Sequence, residues 1–145
     1  MKISVIGLGY IGLPTAALIA SKKIKVVGID INKNIVDTVN KGKPHFFEPK
    51  LEKILFKAVS ENYLIAKTKV VVSDIYIITV PTPLKENNKP DIVYVKTAIK
   101  SISKVLKNGD MIILESTSPV GTTEKITSWL KSERPELNYP NEHSQ

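Results

Sequence analysis

Ile3-Ser4-Val5-Ile6-Gly7-Leu8-Gly9-Tyr10-Ile11-Gly12 is the stretch that decides how this chain folds. A β-branched apolar run leads into it, and Ala16-Ala17-Leu18-Ile19-Ala20 leads out with the composition of a helix. Glycines at G-x-G-x-x-G spacing occur by chance, but between a strand and a helix they mark a phosphate-binding turn. Gly7 permits the tight turn off the strand, Gly9 lets the backbone approach a diphosphate with no Cβ between, and Gly12 lets the helix pack closely on the sheet. The start of that helix offers unpaired N–H groups and the positive end of its dipole to an anion. Pro14 is tolerated in the first turn because its missing N–H would have no intrahelical acceptor there.

A second apolar run, Ile24 to Ile29, ends in Asp30, about twenty residues after the glycines, where a ribose-binding carboxylate belongs. Asp30 is expected to accept hydrogen bonds from adenosine ribose hydroxyls and to repel a 2′-phosphate. No arginine adjoins it, so the expected cofactor is NAD rather than NADP. The plainer alternative is a strand-helix unit with structural glycines and a solvated loop aspartate.

Beyond this unit, periodicity predicts strands near 2–7, 24–30, 64–67, 75–80 and 110–115. Helices are expected near 11–22, 33–41, 50–61, 91–107 and 122–132. Strands alternating with helices imply a doubly wound, mostly parallel sheet in a three-layer α/β/α arrangement, the Rossmann fold. Ile75-Tyr76-Ile77-Ile78-Thr79-Val80 has the nearly continuous apolar character of a strand buried on both faces, and Met111-Ile112-Ile113-Leu114 has the same look. Ile92, Val95, Ile99, Ile102 and Leu106 form one helical stripe, with Lys96, Lys100 and Lys104 facing water. Asp91 is the expected cap of that helix and Asn108-Gly109 its stop. A domain over 1–133 is expected, followed by a loosely ordered tail over 134–145.

Bulk composition excludes several function classes. Hydrophobic and charged fractions of 42% and 24% are those of an ordinary globular domain, and no apolar run is long enough to cross a bilayer. Met1-Lys2 runs straight into strand-like sequence with no signal-peptide pattern, so a cytoplasmic location is expected. The net charge of +7 could point to nucleic acid or to acidic membranes. The lysines are instead dispersed, and no aromatic residues interleave with them as stacking platforms, so neither partner is expected. The chain has no cysteine, which removes disulfides, thiolate metal sites and a cysteine nucleophile from these 145 residues. His45 and His143 lack partners at metal-ligand spacing, so no metal is expected and both should be exposed. Trp129, beside Ile126 and Leu130, reads as packing.

In a doubly wound sheet the ligand lies at the carboxyl ends of the strands, which brings two more loops into play. Pro81-Thr82-Pro83 is either a stiff connector or a device that holds Thr82 against the dinucleotide. Glu115-Ser116-Thr117-Ser118-Pro119-Val120-Gly121-Thr122-Thr123-Glu124 is either an N-capping segment or a loop that sets Thr117 beside the nicotinamide ring.

The glycine turn Gly7-Leu8-Gly9-Tyr10-Ile11-Gly12-Leu13-Pro14, the Val80-Pro81-Thr82-Pro83 loop and the Glu115–Gly121 segment together resemble the UDP-glucose/GDP-mannose dehydrogenase family. The likeness extends through Glu48-Pro49 and Lys89-Pro90-Asp91 to about Tyr139. It implies oxidation of the C6 hydroxyl of a nucleotide sugar to a carboxylate in two successive hydride transfers to NAD. UDP-N-acetylmannosamine is the favoured sugar, with UDP-glucose and UDP-N-acetylglucosamine as alternatives. Carried over residue by residue, Tyr10, Ile11, Asp30, Thr82 and Thr117 are implied cofactor contacts, with Thr123 a further candidate. Thr117 is also implied in positioning the hydrolytic water. A lysine that some relatives place near the ribose is matched here by Ile35. The family's nucleophilic cysteine, its lysine and aspartate, its central dimerisation helix and its UDP-sugar domain are implied to lie beyond residue 145. Full-length members are implied homodimers, whereas these residues alone are expected to be monomeric and to bind NAD without turnover. A free-standing NAD-binding module without catalysis is the competing reading from another class. A hydroxyacid dehydrogenase sharing only the Rossmann half is a third, and the two later loops speak against it.

Overall fold

Five aliphatic runs become five parallel strands: β1 (Lys2–Ile6), β2 (Lys25–Ile29), β3 (Leu64–Lys67), β4 (Ile75–Ile78) and β5 (Met111–Leu114). The computed structural model describes residues 1–85 and 90–139, so Lys89, His143 and residues 140–145 lie outside the described residues. The sheet order is β3-β2-β1-β4-β5, with Ile3 registered against Val26 on one side and Ile75 on the other.

Helices α1 (Gly12–Ser21), α2 (Lys33–Asn40) and α3 (Pro49–Ser60) cover one face. Helices α4 (Val93–Ser103) and α5 (Thr122–Glu133) cover the other. Two cores result. Leu13, Ala17, Val39 and Leu55 meet Val5 and Val26 in the first, while Val95, Ile99, Ile102 and Ile126 meet Tyr76 and Ile78 in the second. Each fully buried aliphatic side chain of this size contributes about 1.5–3 kcal/mol. Asn32 caps α2 by accepting the Asn34 N–H, and Pro49 occupies the first turn of α3.

Buried polar groups within the sheet are paired. The Ser4 and Ser73 hydroxyls lie 2.8 Å apart, and the Tyr76 hydroxyl accepts the Ser73 N–H at 2.9 Å. Burial pushes the Tyr76 phenol above its ordinary value, a shift opposed by that Ser73 hydrogen bond and reinforced by the carboxylates of Asp110 and Asp74.

Several expectations need correction. β5 is an edge strand, so Met111 and Ile113 are 55% and 41% exposed rather than buried on both faces. Its apolar sequence does not reveal how many neighbours it has. α4 begins two residues later than expected: Ile92 is its N-cap, and Asp91 acts from one position earlier by accepting the Val93 N–H. It also ends at Ser103, where Val105 N–H turns back to the Ile102 carbonyl in a tightened last turn. The stretch from Arg134 to Tyr139, expected to be loose, makes specific contacts. The Arg134 guanidinium donates to the Ser103 carbonyl, Asn138 N–H to Asn108 Oδ1, and Leu137 and Tyr139 pack on the second core.

Candidate cofactor site

Because the chain adds β2 and β3 on one side of β1 and β4 and β5 on the other, the order of strand addition reverses at the β1/β4 pair, while all strands stay parallel. The connections leaving the carboxyl ends of these two strands diverge, and a cleft of about 1010 Å³ opens between them. That volume lies at the upper end of small-molecule sites.

The three glycines of the turn do three different things. Gly7 sits at φ +98°, and a Cβ on it would lie 2.9 Å from the Thr79 carbonyl oxygen. On Gly12 a Cβ would come within 1.8 Å of the Gly7 carbonyl oxygen, an overlap no local shift relieves. A Cβ on Gly9 would meet nothing within 4 Å. Packing therefore fixes the outer two, while the middle one lines the cleft and leaves room for a ligand. Among the described residues, the N–H groups of Gly9, Tyr10 and Ile11 have no backbone acceptor, so a row of donors stands at the start of α1. Such donors fit a diphosphate.

Thr79 holds this turn from below. Its hydroxyl lies 2.7 Å from the Gly7 carbonyl oxygen and 3.0 Å from that of Ile6, tying the end of β4 to the end of β1. Sequence reasoning had placed Thr79 inside a strand and given it no role. Asp30, at the end of β2, lines the cleft. Its Oδ2 accepts the Leu8 N–H at 3.0 Å and its Oδ1 accepts the Asn32 N–H at 2.9 Å. An ionised carboxylate has about four acceptor positions, so capacity for ribose hydroxyls remains. Ile35 also lines the cleft.

The two loops across the cleft are joined to each other. Thr82 Oγ1 donates to the Thr117 carbonyl at 2.6 Å, and Ser116 Oγ donates to the Val80 carbonyl at 2.7 Å. Thr82 and Thr117 both line the cleft, and Thr15 of α1 reaches Glu115 at 3.3 Å. Thr123 is not brought to this wall. It is exposed on the first turn of α5, while its neighbour Thr122 is buried and donates to the Pro119 carbonyl. Gly12 lies beneath the site rather than in its wall.

The far wall was missed from sequence. Tyr94, Thr97, Ser101 and Lys104 line it, at helical spacings of three and four along one side of α4 and its end. That polar stripe was a legible signal beside the apolar one.

A family profile described as "UDP-glucose/GDP-mannose dehydrogenase family, NAD binding domain" matches residues 1–143. The chain belongs to this family. The cleft just described is thus part of an NAD-binding domain. The chain is 55% identical over 142 residues to the UDP-N-acetyl-D-mannosamine dehydrogenase of Campylobacter jejuni, covering 97% of this chain and 35% of that protein. It is 48% identical over 143 residues to an NDP-N-acetyl-D-galactosaminuronic acid dehydrogenase of Ralstonia nicotianae, covering 99% of this chain and 34% of the relative. The solved structure of a UDP-D-ManNAc dehydrogenase from Pyrococcus horikoshii superposes with a TM-score of 0.90 at 38% identity, over 95% of this chain and 34% of that one. The chain therefore spans about a third of the length of the relatives it matches. Among the described residues, no helix is long and apolar enough to cross a membrane.

Proposed function

We propose that this chain is the NAD-binding part of a cytoplasmic, homodimeric dehydrogenase that oxidises UDP-N-acetylmannosamine to the corresponding uronate. The observation that carries the reading is the open space and free amide row at Gly9, with Asp30 on one side and the linked Thr82–Thr117 loops on the other. Those features fit a dinucleotide in polarity and order along the cleft: diphosphate on the turn, adenosine ribose at Asp30, nicotinamide toward Thr117. When bound, NAD supplies the acceptor for the substrate's two-step oxidation. Thr82 stiffens the Thr117 loop, and the Thr117 side chain positions the nicotinamide and the hydrolytic water. Asp30 selects NAD over NADP by charge and by occupying the 2′ position.

The choice of sugar is supported by the high identity to UDP-N-acetyl-D-mannosamine dehydrogenases of enteric and related bacteria. These 145 residues contain no cysteine, so the covalent step is assigned to residues that other family members carry elsewhere in a longer chain. Alone, the chain is proposed to bind NAD as a monomer without turnover. Mixing it with NAD and UDP-N-acetylmannosamine should give no NADH absorbance, and steady turnover would overturn the placement of the chemistry. Fusing it to the remaining two thirds of the Campylobacter relative should restore oxidation of UDP-N-acetylmannosamine. A fusion that folds but gives no NADH, where the intact relative does, would overturn the reading of this chain as the NAD-binding part of such an enzyme.

A further inference from the structure

His45, in the loop between α2 and α3, reaches across to the glycine turn, 37 positions away in sequence, and its Nε2 lies 2.6 Å from the Leu8 carbonyl oxygen. A carbonyl only accepts, so the imidazole donates and Nε2 carries the proton. The ring is held for this contact by Phe46. His45 meets Phe46 edge-on at 4.9 Å between centroids, and Phe46 lies 4.5 Å from the Tyr10 ring in the turn itself.

The Leu8 carbonyl belongs to the same peptide plane as the Gly9 N–H, and in a trans peptide the two point in opposite directions. Fixing the carbonyl on His45 therefore aims the Gly9 N–H away from the His45 loop. Leu8 is fixed at its other end as well, because its own N–H donates to Asp30 Oδ2, and its side chain is fully buried. The Gly9 carbonyl accepts the Leu13 N–H at 3.1 Å, which fixes the following peptide to α1, but the Leu8–Gly9 peptide itself, beside a residue with no side chain that faces open space, is held at its carbonyl by His45.

We infer that His45 is a positioning residue for the cofactor: it clamps the Leu8–Gly9 peptide so that the Gly9 N–H is preset toward the diphosphate. The reorientation cost on binding is thereby removed before the ligand arrives. This rests on the NAD site at the glycine turn and adds to it a group on a separate loop. Lacking backbone continuity with the turn, that loop can be altered independently.

The test is calorimetric titration of the whole chain, unaltered and as His45→Ala and His45→Gln, with NAD and ADP, and NMR titration with adenosine. His45→Ala should weaken NAD and ADP about 3- to 10-fold, the range of one lost neutral hydrogen bond, and leave adenosine unchanged. His45→Gln, whose amide can donate from a similar reach, should restore most of the loss. Equal NAD binding by His45→Ala, or a loss shared by adenosine, would overturn the clamp. Absence of NAD and ADP binding by the unaltered chain would instead overturn the site itself. Thermal melts of all three proteins report whether folding is intact, since His45 is exposed.

Discussion

Asp30 Oδ2 accepts the backbone N–H of Leu8 at 3.0 Å, so a single carboxylate at the end of β2 both braces the glycine turn and lines the cleft above it. The two roles separate by substitution. Asp30→Asn keeps an acceptor for Leu8 but loses the charge, whereas Asp30→Ala loses both.

Titration with NAD and NADP should show NAD preferred by the unaltered chain and the gap narrowed in both variants. Only Asp30→Ala should also lower stability appreciably, by about 1–3 kcal/mol in urea unfolding, the usual net worth of the two backbone hydrogen bonds it loses, from Leu8 and Asn32. Equal binding of the two cofactors by the unaltered chain would refute the selecting role of Asp30.

The glycines should respond in opposite ways. Gly12→Ala places a methyl group 1.8 Å from the Gly7 carbonyl oxygen and should destabilise the fold by more than about 3 kcal/mol. Gly9→Ala meets no protein atom within 4 Å, so it should melt like the unaltered chain yet lose NAD binding. Melting curves combined with NAD titration distinguish the two, and a strongly destabilised Gly9→Ala would contradict the open space at that position.

Thr79→Val retains shape and removes the hydroxyl that bridges Gly7 and Ile6. Urea unfolding should show a loss of about 1–2 kcal/mol, and NAD affinity should fall as the turn loosens. An unchanged midpoint would mean that the backbone ladder alone holds the two strand ends together.

Much of this was legible in the sequence, for reasons that also explain what was not. Gly7, Gly9, Gly12 and Asp30 could be located because their work is done within one strand-turn-helix-strand unit, where spacing along the chain fixes spacing in space. Thr79 and His45 act on the same turn from 72 and 37 positions away, and no local pattern announces such a contact. The apolar run at Met111–Leu114 identified a strand, yet whether a strand is central or at an edge depends on topology, which periodicity does not encode. Composition also misled at Arg134–Tyr139, where a polar, proline-containing segment is held by hydrogen bonds to Ser103 and Asn108.

Tyr76 supplies a pH test. Its phenol is held above the ordinary value of 10.0, chiefly by burial, so the folded chain keeps this proton to higher pH than the unfolded chain does. The resulting stability is fully present below pH about 10 and is lost as pH rises beyond it. Tyr76→Phe should be less stable at neutral pH, because the Ser73 N–H loses its acceptor, and should fall behind by a smaller margin above pH 10. Parallel stability curves for the two proteins through that range would show that Tyr76 carries no linked proton.

The measurement that bears hardest on the whole is isothermal calorimetry of the purified chain with NAD. Saturable binding at one site per chain, weakened by Asp30→Ala and abolished by Gly9→Ala, is the expected result. A well-folded chain that gives no saturation with millimolar NAD or NADH would contradict the cofactor site, and the proposed dehydrogenase function with it.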